Sequence, residues 1–173
     1  RDGGSVRLDG REINVKSTLE AQRLGISIIH QEINLMQDLT VSENIYIGRE
    51  PMQGILLNGA KQDAQTNALL DSLRLTDIRA GTRVRTLTVA KQQMVEIAKA
   101  LSFNNTRILI MDEPTAALTE SEIEDLFTFI RRLKAQGVGI VYISHRMEEL
   151  RIIADRVTVM RDGKYVGTRN MAD

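Results

Sequence analysis

The stretch that decides the fold is Arg107-Ile108-Leu109-Ile110-Met111-Asp112-Glu113-Pro114-Thr115. Four consecutive apolar residues followed by two carboxylates read as a short buried strand. It delivers Asp112 and Glu113 to its C-terminal end, where open α/β sheets place their ligands. Side chains alternate along a strand, so adjacent carboxylates can take separate roles. One can hold a divalent cation through its water shell while the next polarises an attacking water, the two roles that nucleotide hydrolysis needs. By itself the stretch equally fits a strand closing in a solvated Asp-Glu-Pro turn.

Two further strands change that balance. Gly139-Ile-Val-Tyr-Ile143 is a second compact apolar run and ends in Ser144-His145, and Ile26-Ser27-Ile28-Ile29 runs into His30-Gln31-Glu32. A histidine at a strand end commonly serves packing alone, and a polar triplet commonly makes a loop. Three apolar strands ending in Gln31, Asp112-Glu113 and His145 make a pattern that separate packing and loop roles would have to treat as coincidence.

Around these strands the chain alternates textures. Ser5 to Leu8 and Arg11 to Ile13 flank Asp9-Gly10, the signature of a hairpin with a type I′ turn. Thr18 to Leu24 predicts a short helix stopped by Gly25. From Gln31 to about Ala100 helices and loops dominate, with a capping box at Thr40-x-x-Glu43. Ala60 to Leu73 predicts a helix with Ala64, Ala68 and Leu69 on its inner face. A second capping box, Thr119-x-x-Glu122, opens a helix presenting Ile123, Leu126, Phe127, Ile130 and Leu133, with Gly137 as its stop. Arg146 to Ala154 predicts a short helix, and Arg156 to Met160 a strand that turns at Asp162-Gly163 into a last one near Lys164 to Gly167. The expected fold is α/β, with a mainly parallel sheet in residues 1–30 and 101–173 and a helical subdomain inserted at 31–100.

Composition narrows the function. Lys plus Arg and Asp plus Glu both number 23, so no basic surface argues for nucleic acid. Aromatics make up 3%, too few for base-stacking platforms. There is no cysteine, hence no disulfide or thiolate metal site. No apolar run approaches the roughly 20 residues of a membrane-spanning helix, so any membrane link is expected through a partner. The first residues carry no signal-peptide pattern and position 1 is Arg, which leads us to expect sequence upstream.

Taken in order, these residues resemble an ABC ATPase over essentially the whole chain. Ile28-Ile29-His30-Gln31 resembles the strand entering the Q-loop, and Leu87-Thr88-Val89-Ala90-Lys91-Gln92-Gln93 occupies the place of the signature motif. Ile108 to Pro114 resembles Walker B with its catalytic glutamate, Ala116-Ala117-Leu118-Thr119 the D-loop, and Ser144-His145 the switch histidine. Gln92 to Ala100, Glu113 to Thr119 and Tyr142 to Met147 further resemble the ATPases of monosaccharide importers for ribose, galactose and xylose, in which two ATPase halves are fused. The Ala-Ala-Leu-Thr D-loop resembles that of the N-terminal half.

The resemblance implies a P-loop NTPase core of ABC type that uses ATP and Mg²⁺. Glu113 would polarise the attacking water, with His145 orienting it and contacting the γ-phosphate. Asp112 and Gln31 would serve the Mg²⁺ shell, while Thr88, Val89, Ala90 and Lys91 would meet the nucleotide held by the partner half. The implied partners are a second ATPase half, transmembrane permease subunits and, indirectly, a periplasmic sugar-binding protein. The implied location is the cytoplasmic face of the bacterial inner membrane, with no nucleic acid bound. A soluble ABC ATPase acting on ribosomes or DNA, and a non-catalytic interaction module, are the alternatives.

Two departures bear on activity. Walker A, G-x-x-x-x-G-K-[ST], does not occur. Gly10-Arg-Glu-Ile-Asn-Val15-Lys16-Ser17 imitates its spacing, but Val15 replaces the second glycine and resists the backbone angles and close phosphate approach that glycine permits. Lys16 is therefore not expected to grip phosphate, and the chain by itself is expected to be inactive. The signature is degenerate: Thr88 keeps a capping hydroxyl, while Val89 and Ala90 stand where Leu-Ser-Gly-Gly-Gln has glycines, and Lys91 stands for Gln.

Overall fold

A three-stranded parallel sheet organises the computed structural model, which describes residues 4–103 and 106–171. Its strands are β3 (Ile26–Ile29), β6 (Ile108–Asp112) and β7 (Gly139–Ile143), in the order β3-β6-β7. The register aligns Ile29 with Met111 and Tyr142, and Asp112 with Ile143, so all three C-terminal ends lie on one edge. Before β3 come the hairpin β1 (Val6–Leu8) and β2 (Arg11–Ile13), then helix α1 (Thr18–Arg23). Asp9 and Gly10 have φ of 52° and 75°, as a type I′ turn requires. Arg107 grips this turn through two bonds to Asp9, at 2.6 and 2.7 Å, tying the hairpin to the start of β6.

Between β3 and β6 lie α2 (Val41–Tyr46), the short hairpin β4 (Met52–Gln53) and β5 (Leu56–Leu57), α3 (Gly59–Ser72) and α4 (Val89–Leu101). After β6 follow α5 (Glu120–Ala135), then α6 (Met147–Ile153) beyond β7, and an antiparallel pair, β8 (Arg156–Arg161) and β9 (Lys164–Asn170), bonded to each other. Both expected capping boxes form, at Thr40–Glu43 and Thr119–Glu122, each cap stabilising its helix by about 1 kcal/mol. Ile123, Leu126, Phe127, Ile130 and Leu133 form the buried stripe of α5, as their spacing predicts. The chain then reverses at Gly137, φ 87°.

Helices α4 and α5 cover one face of the sheet. Ser27, Ile29, Leu109 and Met111 are buried there, the Ser27 hydroxyl donates to the Ala100 carbonyl, and Phe127 meets Tyr142 edge to face. One continuous apolar cluster runs from Val41 and Ile45 through Val95 and Ile97 to Leu109 and Leu126. It therefore spans the sequence boundary drawn at residues 31 and 100.

Two expectations need correcting. β3 is buried, and β7 half-buried, on one face only: Ile28, Val141 and Ile143 stand 43%, 48% and 46% exposed on the other. A continuous apolar run fits a strand covered on both sides, and these exposures show that the second face is only partly covered among the described residues. The inner face of α3 is also different. Gln62, Thr66 and Leu70 are buried, whereas Ala64 and Ala68 are exposed. Leu70 is the larger apolar side chain, and its burial sets the rotation of the helix against the weak signal of two alanines.

Candidate functional site

The polar edge forms as the three strand ends require. Glu113 follows β6 with φ 45°, a left-handed conformation that costs a non-glycine residue about 1 kcal/mol. Its N–H donates to the Ile143 carbonyl at 2.9 Å, continuing the β6–β7 ladder one step past the strand. The Glu113 carboxylate is held on both sides. Gln31 donates from Nε2 to Oε2 at 3.4 Å, and His145 Nδ1 lies 2.9 Å from Oε1. Because the carboxylate oxygen accepts, Nδ1 carries the hydrogen, which leaves Nε2 of the exposed imidazole pointing away from Glu113. Three residues spread over more than a hundred positions thus meet at one carboxyl group.

Asp112 lies at the last ladder position of β6, opposite Ile143. It alternates with Met111 and so belongs to the open face of the sheet, while Glu113 turns away into the loop. Gln31 spends its amide nitrogen on Glu113 and keeps its amide oxygen available. Among the described residues no group of three or more His, Cys, Asp or Glu could hold a metal unaided. The donor set fits Mg²⁺ nonetheless. This cation takes hard oxygen ligands, commonly one or two carboxylates completed by water and substrate phosphates. Asp112 and the Gln31 oxygen supply such ligands.

The other expected site residues lie elsewhere on the chain. Thr88 caps α4, its hydroxyl accepting from the Lys91 N–H at 3.3 Å, and the helix begins at Val89. The Lys91 ammonium pairs with Asp77 at 2.8 Å. That bond holds the Asp77 carboxyl below its ordinary value. Thr88 and Val89 are exposed at the α4 N-terminus. In the Gly10–Ser17 segment, Arg11–Ile13 pair in the hairpin and Ser17 caps α1. No phosphate cradle forms there, and Lys16 remains without that role.

Sequence reasoning missed Glu149. It is 3% exposed on α6 and accepts from the hydroxyls of Thr115, Tyr142 and Ser144 at 2.7, 2.8 and 3.0 Å, with Arg146 at 2.8 Å. Burial, with the bond to Glu149, pushes the Tyr142 phenol well above its usual 10.0. The available sequence signal is its place beside Leu150, the buried residue of this short helix.

Residues 1–116 match the family described as ABC transporter. The chain belongs to the ABC transporter family. It is 59% identical, over its whole length, to a putative ribose/galactose/methyl galactoside import ATP-binding protein of Burkholderia cenocepacia. Over 98% of its length it is 47% identical to the galactose/methyl galactoside import ATP-binding protein MglA of Yersinia pestis. This ABC family chain spans 34% of the first relative and 33% of the second, about a third of their length. Among solved structures, the ATP-binding cassette MJ1267 in its ADP conformation superposes with TM-score 0.81 at 25% identity, covering 98% of this chain and 70% of that one. The cassette MJ0796, in a dimer bound to ADP and Pi, gives 0.76 at 23% identity, over 98% of this chain and 74% of that one. The α/β architecture is therefore that of an ABC ATP-binding cassette.

Proposed function

We propose that this chain is part of the ATP-binding subunit of a monosaccharide importer, and that its polar edge is the hydrolytic half of an ATP site. What carries the reading is the Glu113 carboxylate held between Gln31 and His145 at the common end of three parallel strands. There Glu113 takes the proton of the attacking water, and His145, fixed through Nδ1, turns Nε2 to the γ-phosphate. Asp112 and the Gln31 oxygen would hold Mg²⁺, which would supply charge neutralisation for the phosphoryl group. The α4 N-terminus offers the Val89 and Ala90 N–H groups, with the Thr88 hydroxyl and the Lys91 side chain beside them, to a nucleotide on a second ATPase half, so that ATP lies between two halves.

The grip on the triphosphate belongs to sequence outside this chain, because no Walker A is present. The open sheet face at Val141 and Ile143 supports a further segment covering it. The isolated chain is then inactive. Among the described residues no helix is long and apolar enough to cross a membrane. The subunit works peripherally, at the cytoplasmic face, on permease subunits fed by a periplasmic sugar-binding protein. An open recess of about 280 Å³ between β3 and the helical region, lined by Ile28, Ile45, Arg49, Glu96 and Phe103 among others, suits the permease contact. We assign residues 31–100 as the helical subdomain carrying it, on the core of 1–30 and 101–173.

The sugar identity is tested in the full-length transporter, reconstituted with its permease and binding protein. Ribose, galactose or xylose on the binding protein should stimulate ATP hydrolysis; no stimulation by any of them contradicts the importer reading. Salt-dependent binding of RNA or DNA would instead favour the ribosome- or DNA-directed alternative. Because Val89 and Ala90 replace glycines, the composite site that uses Thr88 is the weaker of two. Comparing Glu113→Gln with the equivalent change in the other half, by single-turnover hydrolysis, should give unequal losses. Equal losses refute the asymmetry.

A further inference from the structure

Beyond the end of the β6–β7 ladder, the two chains that carry Glu113 and His145 separate. The last backbone bond between them is from Glu113 N–H to the Ile143 carbonyl. After it, one chain turns through Pro114-Thr115-Ala116, closed by Ala116 N–H to the Glu113 carbonyl, and the other turns through Ser144-His145-Arg146 into α6. Nothing in the sheet fixes the distance between these two turns. One side chain does. Glu149 takes the Thr115 hydroxyl on Oε1, and the Tyr142 and Ser144 hydroxyls on Oε2. Arg146 closes the cluster on Oε1, and its own N–H donates back to the Ser144 hydroxyl.

We propose that Glu149 is a positioning residue for hydrolysis: one carboxylate that bridges the turn after Glu113 to the turn before His145 and so sets the 2.9 Å contact between them. This rests on the reading of Glu113 and His145 given above. Oε1 holds Thr115, two residues past Glu113, together with Arg146, and Oε2 holds Ser144, one residue before His145. Every partner is a donor: three hydroxyls and a guanidinium converge on an acceptor with room for about four hydrogens. The cluster is also buried, with Thr115 and Glu149 each 3% exposed, so the bonds are shielded from competing water. His145, by contrast, is 76% exposed. Its position is inherited from Ser144, and therefore from Glu149. Because α6 carries Glu149, a displacement of α6 moves both turns together.

The test uses the full-length protein with Glu149→Gln, which keeps the shape but puts an amide N–H₂ against hydroxyl donors. The expected result is a loss of about tenfold in single-turnover kcat with KM for ATP unchanged. A second readout separates positioning from general stability. In a His145→Ala background, Glu149→Gln should add less than about twofold, because its effect passes through His145. An unchanged kcat, or the full loss persisting in the His145→Ala background, overturns the proposal. If Glu149→Gln does not fold, Ser144→Ala and Thr115→Val each remove one donor and should give the same loss and the same non-additivity; unchanged kcat in both overturns it. Glu113→Gln is run alongside. Wild-type hydrolysis in that variant removes the site reading itself, and the proposal with it, whereas its inactivity beside an unaffected Glu149→Gln removes the Glu149 proposal alone.

Discussion

His145 Nδ1 and Glu113 Oε1 lie 2.9 Å apart although 32 residues separate them in sequence. The parallel neighbours β6 and β7, whose last paired residues are Asp112 and Ile143, bring the two segments to the same edge. The two side chains are unequally anchored: Glu113 is 29% exposed and His145 76%.

That inequality predicts a separation of activity from stability. His145→Ala removes an exposed side chain and should change stability by no more than about 0.5 kcal/mol. Single-turnover ATP hydrolysis by the full-length protein should nonetheless fall by about ten- to a hundredfold. Thermal melting alongside the rate checks both halves of the statement.

The two faces of the sheet should respond differently to substitution. Leu109 is fully buried, so Leu109→Ala should cost about 2–5 kcal/mol in urea unfolding of the chain. Ile143 is 46% exposed, and Ile143→Thr should cost less than about 1 kcal/mol. In the full-length protein the Ile143→Thr cost should rise, because a covering segment then buries that face; an unchanged cost argues against cover.

Acid should loosen the helix starts. Bonds from the Thr40 N–H and hydroxyl hold the Glu43 carboxyl below its ordinary 4.5, and the same bonds from Thr119 do so for Glu122. A depressed folded-state value means stability that is present above 4.5 and is lost as pH falls through the folded-state values. Urea midpoints followed downward from neutral pH should decline below 4.5, and Glu43→Gln with Glu122→Gln should flatten that decline. The glutamines should also lower the midpoint at neutral pH.

Much of this architecture was legible because its signals are local. Asp9-Gly10 and Asp162-Gly163 give turns with positive φ at both positions, and Thr40 and Thr119 cap helices through partners three residues on. Gln31, Glu113 and His145 were legible for a related reason: each is the second polar residue after an apolar run. What was not legible depended on partners distant in sequence. The rotation of α3 is set by the cavity that Leu70 fills, which two exposed alanines do not report. Glu149 gathers donors from positions 115, 142, 144 and 146, and no spacing announces a buried carboxylate. The open sheet face was hidden because a strand covered on both sides and one covered on a single side can carry the same apolar run.

The isolated chain should bind ATP poorly. Gly10 to Ser17 forms a hairpin strand and a helix cap instead of a phosphate loop, so little holds the triphosphate. Isothermal calorimetry should detect no affinity tighter than about millimolar, and micromolar binding contradicts the account.

The most direct test is Glu113→Gln in the full-length protein, read as single-turnover ATP hydrolysis with nucleotide binding measured on the same sample. The account predicts a rate lower by about a hundredfold or more with binding retained, since the group that takes the water's proton is gone while the phosphate grip is untouched. A rate equal to that of the unmodified protein would contradict it.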